Sequence, residues 1–121
     1  MALCNLKNAL DRAEQSGYAI GSFNLTGEDM LIGILQAAVE QGSPVILSIA
    51  EAHIPYMRWR SFMKMVIAEA ESAPVPVVIH LDHATRLETI YQAFQLGFTS
   101  IMYDGSVLSL DENIANTRLI A

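Results

Sequence analysis

The sequence predicts an α/β fold, a parallel sheet covered by helices, on three observations. Four short β-rich runs alternate with stretches whose apolar residues recur at helical spacing. The runs are apolar at consecutive positions, as in strands buried on both faces. Glycines, prolines and hydroxyl–carboxylate pairs mark the joins. The 121 residues are 52% hydrophobic, enough for one core and far from disordered composition.

The first predicted element is a helix over about Leu3 to Gln15, ended by Gly17. Strands are predicted at Tyr18 to Asn24, Val45 to Ile49, Val75 to Leu81 and Ser100 to Tyr103. Between them, Met30, Leu31, Ile34, Leu35, Ala38 and Val39 form one helical stripe. Trp59, Phe62, Met63, Val66 and Ile67 form a second, and Leu87, Ile90, Tyr91 and Phe94 a third. Packing against the sheet is the expected use of all three. Thr26 to Asp29, Thr85 to Glu88 and Ser109 to Glu112 each set a hydroxyl three residues before a carboxylate. Such a pair can satisfy the free N–H groups of a helix start reciprocally. Gly42 and Gly97 suit helix ends, and Pro74-Val-Pro76 suits a rigid entry into the third strand.

This order is one helix followed by four βα units. A doubly wound sheet and a (β/α)8 barrel both fit it. The repeat is about 27 residues, so eight units need well over 200 residues, as barrels do. On the barrel reading, residues 1–121 are about half of a single domain.

Charge narrows the function. Seven Lys and Arg against thirteen Asp and Glu give a net charge of −6, with the cations scattered. That argues against a nucleic-acid or anionic-membrane surface. The single cysteine, Cys4, has no internal partner, and no stretch approaches the ~18 apolar residues of a membrane helix. A cytoplasmic protein is expected.

In parallel architectures ligands gather where strands end. The strand ends here supply Ser22, Phe23 and Asn24, then Ser48, Ala50, Glu51 and His53. The third and fourth add His80, Asp82 and His83, then Asp104, Gly105 and Ser106. The densest cluster is His80-Leu-Asp-His83. Alternation sets His80 and Asp82 on one face, with His83 where the strand releases its chain. A carboxylate at such a place needs a partner or a cation, and a neutral imidazole is a common metal ligand. An Asp–His pair capping the next helix is the structural alternative. His80 is expected to be a hydrogen-bonded packing residue and His53 an exposed surface residue.

Four blocks, Gly21-Ser-Phe-Asn24, Gly42-Ser-Pro-Val-Ile-Leu47, Val75-Pro-Val-Val-Ile-His-Leu-Asp-His83 and Gly97-Phe-Thr-Ser-Ile-Met-Tyr-Asp-Gly-Ser106, run in order along the chain. Together they resemble the N-terminal half of the class II, metal-dependent ketose-bisphosphate aldolases, which include fructose- and tagatose-1,6-bisphosphate aldolases. The resemblance implies the N-terminal half of a (β/α)8 TIM barrel. It implies reversible cleavage of a ketose 1,6-bisphosphate into dihydroxyacetone phosphate and an aldehyde, with a divalent metal, usually zinc. It makes Asp82 the acid/base, sets the metal on His83 with Asp104 at a second metal position, and lines the substrate pocket with Asn24 and Ser106. Zinc chemistry is coherent with these residue types. The Schiff-base route needs a strand-end lysine, and Lys7 and Lys64 both fall on predicted helices.

Two departures bear on substrate and activity. Ala50 stands where many fructose-bisphosphate aldolases hold a substrate-contacting serine, and Ala84 stands where glycine is frequent. No histidine follows His83, whereas a catalytic zinc takes three protein ligands and an open position. These 121 residues alone are therefore expected to be inactive. A non-catalytic partner subunit or a sugar-phosphate-binding barrel is the alternative. A phospho-acceptor receiver domain is the rival from another class, but this chain has neither the carboxylate pair that such a domain wants after its first strand nor room for a fifth strand. Open sheet edges and uncovered helix faces point to a homo-oligomer, a dimer or tetramer.

Overall fold

A computed structural model describes residues 3–121. Helix α1, Leu6–Ser16, precedes four βα units. These are β1 Gly21–Asn24 with α2 Glu28–Glu40, then β2 Val45–Ala50 with α3 Trp59–Ser72. The others are β3 Val77–Ala84 with α4 Leu87–Gln95, and β4 Ser100–Tyr103 with α5 Leu110–Ile120. A 3₁₀ turn, Glu51–Tyr56, sits between β2 and α3. The strands pair in parallel in the order β1-β2-β3-β4.

Helices α2, α3 and α4 contribute to one core through Leu31, Leu35, Met63, Val66, Ile90 and Ala93. They pack on Leu47, Ile49, Ile79 and Leu81, all fully shielded. Each such side chain contributes about 1.5–3 kcal/mol by leaving water. The opposite face of the sheet carries a smaller cluster, in which Ala9 of α1 covers Ile46 and Val78 near the strand starts. Sequential strand order with the crossover helices together on one side is the arrangement of a barrel arc. A doubly wound sheet reverses its order and has helices on both sides.

Local chemistry explains most boundaries. Asn5 caps α1, its side chain accepting from Asn8 N at 2.8 Å, and Gly17 closes it at φ 71°. Gly42 and Gly97 also take positive φ just beyond α2 and α4, as expected. Helix α1 starts later than predicted because Leu3 bridges Val77 and Cys4 N donates to Val77 O at 2.9 Å. The third strand starts directly after Pro76, whose carbonyl accepts from Val45 N, and it runs on through Asp82 and His83 to Ala84. The first strand is only four residues long.

Three expectations need correction. Buried strands were expected throughout, but only the central β2 and β3 are buried; β1 is exposed along its length and β4 is half-covered, because each lies at an edge. Helix α4 turns Thr89, Ile90 and Ala93 to the core and leaves Leu87, Tyr91 and Phe94 outside. The small Ala93 permits close approach to the sheet, which the larger residues do not. Of the three capping boxes only Ser109–Glu112 forms. Gly27 caps α2 without a side-chain bond, with the Thr26 hydroxyl turned to Met30 Sδ; Thr85 is drawn to Glu51 instead of capping α4.

Candidate active site

Residues in register across a parallel sheet share a face. The face away from α2–α4 therefore reads as rows. Ser22, Ile46 and Val78 make the lowest; Asn24, Ser48, His80 and Ser100 make the next; Ala50 and Asp82 stand above them. The rows pass from apolar to polar toward the strand ends. His80 is half-buried, with Nδ1 2.7 Å from Ser100 Oγ and Nε2 3.7 Å from Asp82 Oδ1. Burial pushes its imidazole below the usual value against the pull of Asp82. It behaves as the hydrogen-bonded packing residue expected.

At the end of β3 the chain departs from a regular strand. The register with β4 slips between Leu81 and Ala84, and His83 has φ 50°. A non-glycine residue in this region is uncommon and costs about 1–3 kcal/mol, so surrounding contacts must hold it there. Bulges of this kind re-aim side chains next to active sites. Here the result is a contact between two strands: His83 Nδ1 lies 2.9 Å from Asp104 Oδ2, while Nε2 lies 4.0 Å from Asp82 Oδ1. Asp104 N donates to Ala84 O at 2.8 Å, which ties the end of β4 to the same segment.

Asp104 is itself braced. Bonds from the Ser106 hydroxyl, from His83 and from Ser106 N, the last at 3.0 Å, pull its carboxyl down to about 2. The bond to Asp104, followed by the nearby Asp82 charge, raises the His83 imidazole. A Cβ at Gly105 would press on the side chains of Asn113 and Tyr103, which would have to shift to admit it.

Asp82, His83, Asp104 and Ser106 thus converge. Asn24 does not join them: it is exposed on β1 and two strands, about 10 Å, from β3. His53, expected on the surface, is half-buried, and its Nδ1 is shut from solvent with no hydrogen-bond partner among the described residues. Glu51 is buried beneath the rim. It accepts from Thr85 N at 2.8 Å and Thr85 Oγ1 at 2.6 Å, with Arg86 Nε at 3.4 Å. Sequence reasoning placed Glu51 at a strand end and supplied it with no partner.

The donor set suits part of a cation site. With Nδ1 engaged by Asp104, the free His83 nitrogen is Nε2, the arrangement in which a carboxylate orients a metal-binding imidazole. Among the described residues no group of three or more His, Cys, Asp and Glu side chains is placed to hold a metal ion by itself. His83 therefore offers one nitrogen to a cation, not a complete ligand set.

Residues 4–121 match the family described as fructose-bisphosphate aldolase class-II. A 6-phospho-5-dehydro-2-deoxy-D-gluconate aldolase of Bacillus licheniformis is 42% identical over 98% of this chain and 41% of its own length. A fructose-bisphosphate aldolase of Thermus caldophilus is 39% identical over 92% of this chain and 36% of its own. Among solved structures, the YdjI aldolase of Escherichia coli K12 superposes with a TM-score of 0.93 at 34% identity. That match covers 98% of this chain and 46% of the other. The chain spans less than half the length of these relatives, and its four βα units are a partial TIM barrel. By its ordered motifs, its polar strand ends and these matches, the chain belongs to the class II fructose-bisphosphate aldolase family.

Proposed function

We propose that this chain is the portion of a zinc-dependent class II aldolase that carries its acid/base carboxylate and one metal-binding imidazole. The reaction is the reversible cleavage of a ketose 1,6-bisphosphate into dihydroxyacetone phosphate and an aldehyde. The observation that carries this reading is the pairing of His83 Nδ1 with Asp104 at 2.9 Å, which leaves Nε2 on the side of Asp82.

Asp82 stands on the inner face, in register with Ala50, a quarter exposed at the open end of the sheet. From there it takes the proton of the substrate hydroxyl as the carbon–carbon bond breaks and returns it in condensation. His83 Nε2 would hold the metal, which when bound supplies a Lewis acid toward a ketone oxygen. Asp104 sets the ring orientation and can also face a second cation position. Ser106, beside Asp104, and Asn24, on the facing edge, are assigned to substrate contact. Ala50 offers only a methyl at the rim, which leaves space on the aldehyde side of the substrate. The names of the relatives, which span fructose bisphosphate and phosphorylated deoxygluconate derivatives, favour a phosphorylated sugar as the substrate class.

No described helix is long and apolar enough to cross a membrane. A cytoplasmic homo-oligomer, a dimer or tetramer, is part of the proposal. The test is aldol cleavage by the whole protein that contains this chain. Activity is expected to vanish on chelation and return with zinc, while residues 1–121 alone remain inactive. Full activity after exhaustive chelation overturns the mechanism.

A further inference from the structure

Glu51 is the one buried carboxylate among the described residues, at 8% exposure. Its backbone follows directly on Ala50, which is in register with Asp82. Its side chain reaches across to the next unit, where Oε2 accepts both the backbone N–H and the hydroxyl of Thr85. Burial would push the Glu51 carboxyl up, but the bonds from Thr85, Thr89 and Arg86 outweigh it and keep the group below its ordinary value. The charge also lies at the start of α4, where free N–H groups and the helix dipole favour an anion.

What Glu51 grips is the second residue beyond His83. The chain that leaves the strained backbone of His83 is thus held at two successive residues. The carbonyl of Ala84 takes Asp104 N at 2.8 Å, and Thr85 is fixed by Glu51. Release of the second hold removes one of the contacts that keep His83 in the left-handed conformation, which costs free energy to maintain.

We propose that Glu51 is a positioning residue: by holding Thr85 it fixes the turn at His83 and so sets the direction in which Asp82 and His83 leave β3. The catalytic consequence rests on the aldolase reading above; the structural one rests on geometry alone.

The test compares Glu51→Gln, Thr85→Val and Thr85→Ser in the whole protein, assayed below the unfolding range of each. Glu51→Gln and Thr85→Val are expected to lower kcat about 10- to 100-fold with little change in KM, as small misplacements of reacting groups do. Thr85→Ser, which keeps the hydroxyl, is expected to restore most of kcat. In nuclear magnetic resonance spectra the two damaging variants should speed exchange of the residue-85 amide and shift the His83 ring signals, with Thr85→Ser close to wild type. A purely structural role lowers the melting temperature while leaving kcat per folded molecule and the His83 signals unchanged, and that result overturns the proposal. If Glu51→Gln does not fold, Thr85→Val decides. If the wild-type protein cleaves no ketose phosphate, the aldolase reading fails, and the His83 signals still decide whether Glu51 positions the pair.

Discussion

The two faces of the parallel sheet are made from the same strands, alternating residue by residue, yet they do different work. Toward α2–α4, Leu47, Ile49, Ile79 and Leu81 are sealed in a continuous apolar layer. On the other face the large apolar side chains, Ile46 and Val78, lie in the lowest row under α1. Above it come Ser48, His80 and Ser100, and then Asp82. One face holds the fold together, and the other grades from packing to chemistry along its length. The period of two along each strand makes this division possible, because neighbours in sequence belong to different layers.

Neighbouring substitutions put that division to its hardest test. Asp82→Ala should lower kcat for aldol cleavage about 10²- to 10⁴-fold with little movement of the melting temperature. Leu81→Ala, one residue away, should do the reverse. Its side chain is fully buried, so urea unfolding should show a loss of about 2–5 kcal/mol, with kcat per folded molecule retained. If both substitutions damaged the same property, the faces would not be separate.

A smaller effect sharpens the boundary between the layers, where Glu51 sits. Its folded-state carboxyl lies below the ordinary 4.5, so its stabilising contribution is full above that value and is lost as pH falls through the lowered one. Glu51→Gln should therefore cost about 1–3 kcal/mol near neutral pH. The gap from wild type should close as urea midpoints are followed below pH 4.5. A gap that widens in acid contradicts the assignment. The smallest effect belongs outside both faces: Ser109→Ala removes the α5 capping box, for about 1 kcal/mol, with no change in activity.

Much of the fold was legible because it depends on local pattern. Every strand overlaps its predicted range, with β4 matching at both ends while β1 starts three residues late and β3 runs three residues further, and Gly17, Gly42 and Gly97 stop helices where only a residue free to take positive φ does so easily. The stripe of α4 was misassigned because Leu87, Tyr91 and Phe94 are as regular in spacing as a core face; the small Ala93 decides which side docks. Thr85 was misread for a related reason. Its spacing from Glu88 fits a capping box, but a buried acceptor 34 residues earlier in the chain competes for the same hydroxyl. His53 was expected to be exposed, yet the 3₁₀ turn folds its Nδ1 inward.

The candidate site divides in the same way. Asp82 and His83 were visible as a polar ending to an apolar strand, and Asp104 and Ser106 as the ending of the next. That His83 turns left-handed and meets Asp104, and that Glu51 holds the segment behind it, was not visible.

Alternation, helical spacing and glycine placement settled the α/β class and the order of elements, because each acts over a few neighbouring residues. The tertiary structure alone decided the bulge at His83, the pairing of two strand ends and the burial of Glu51. Those depend on register and on contacts between residues 21 to 35 positions apart, where no local preference chooses among partners.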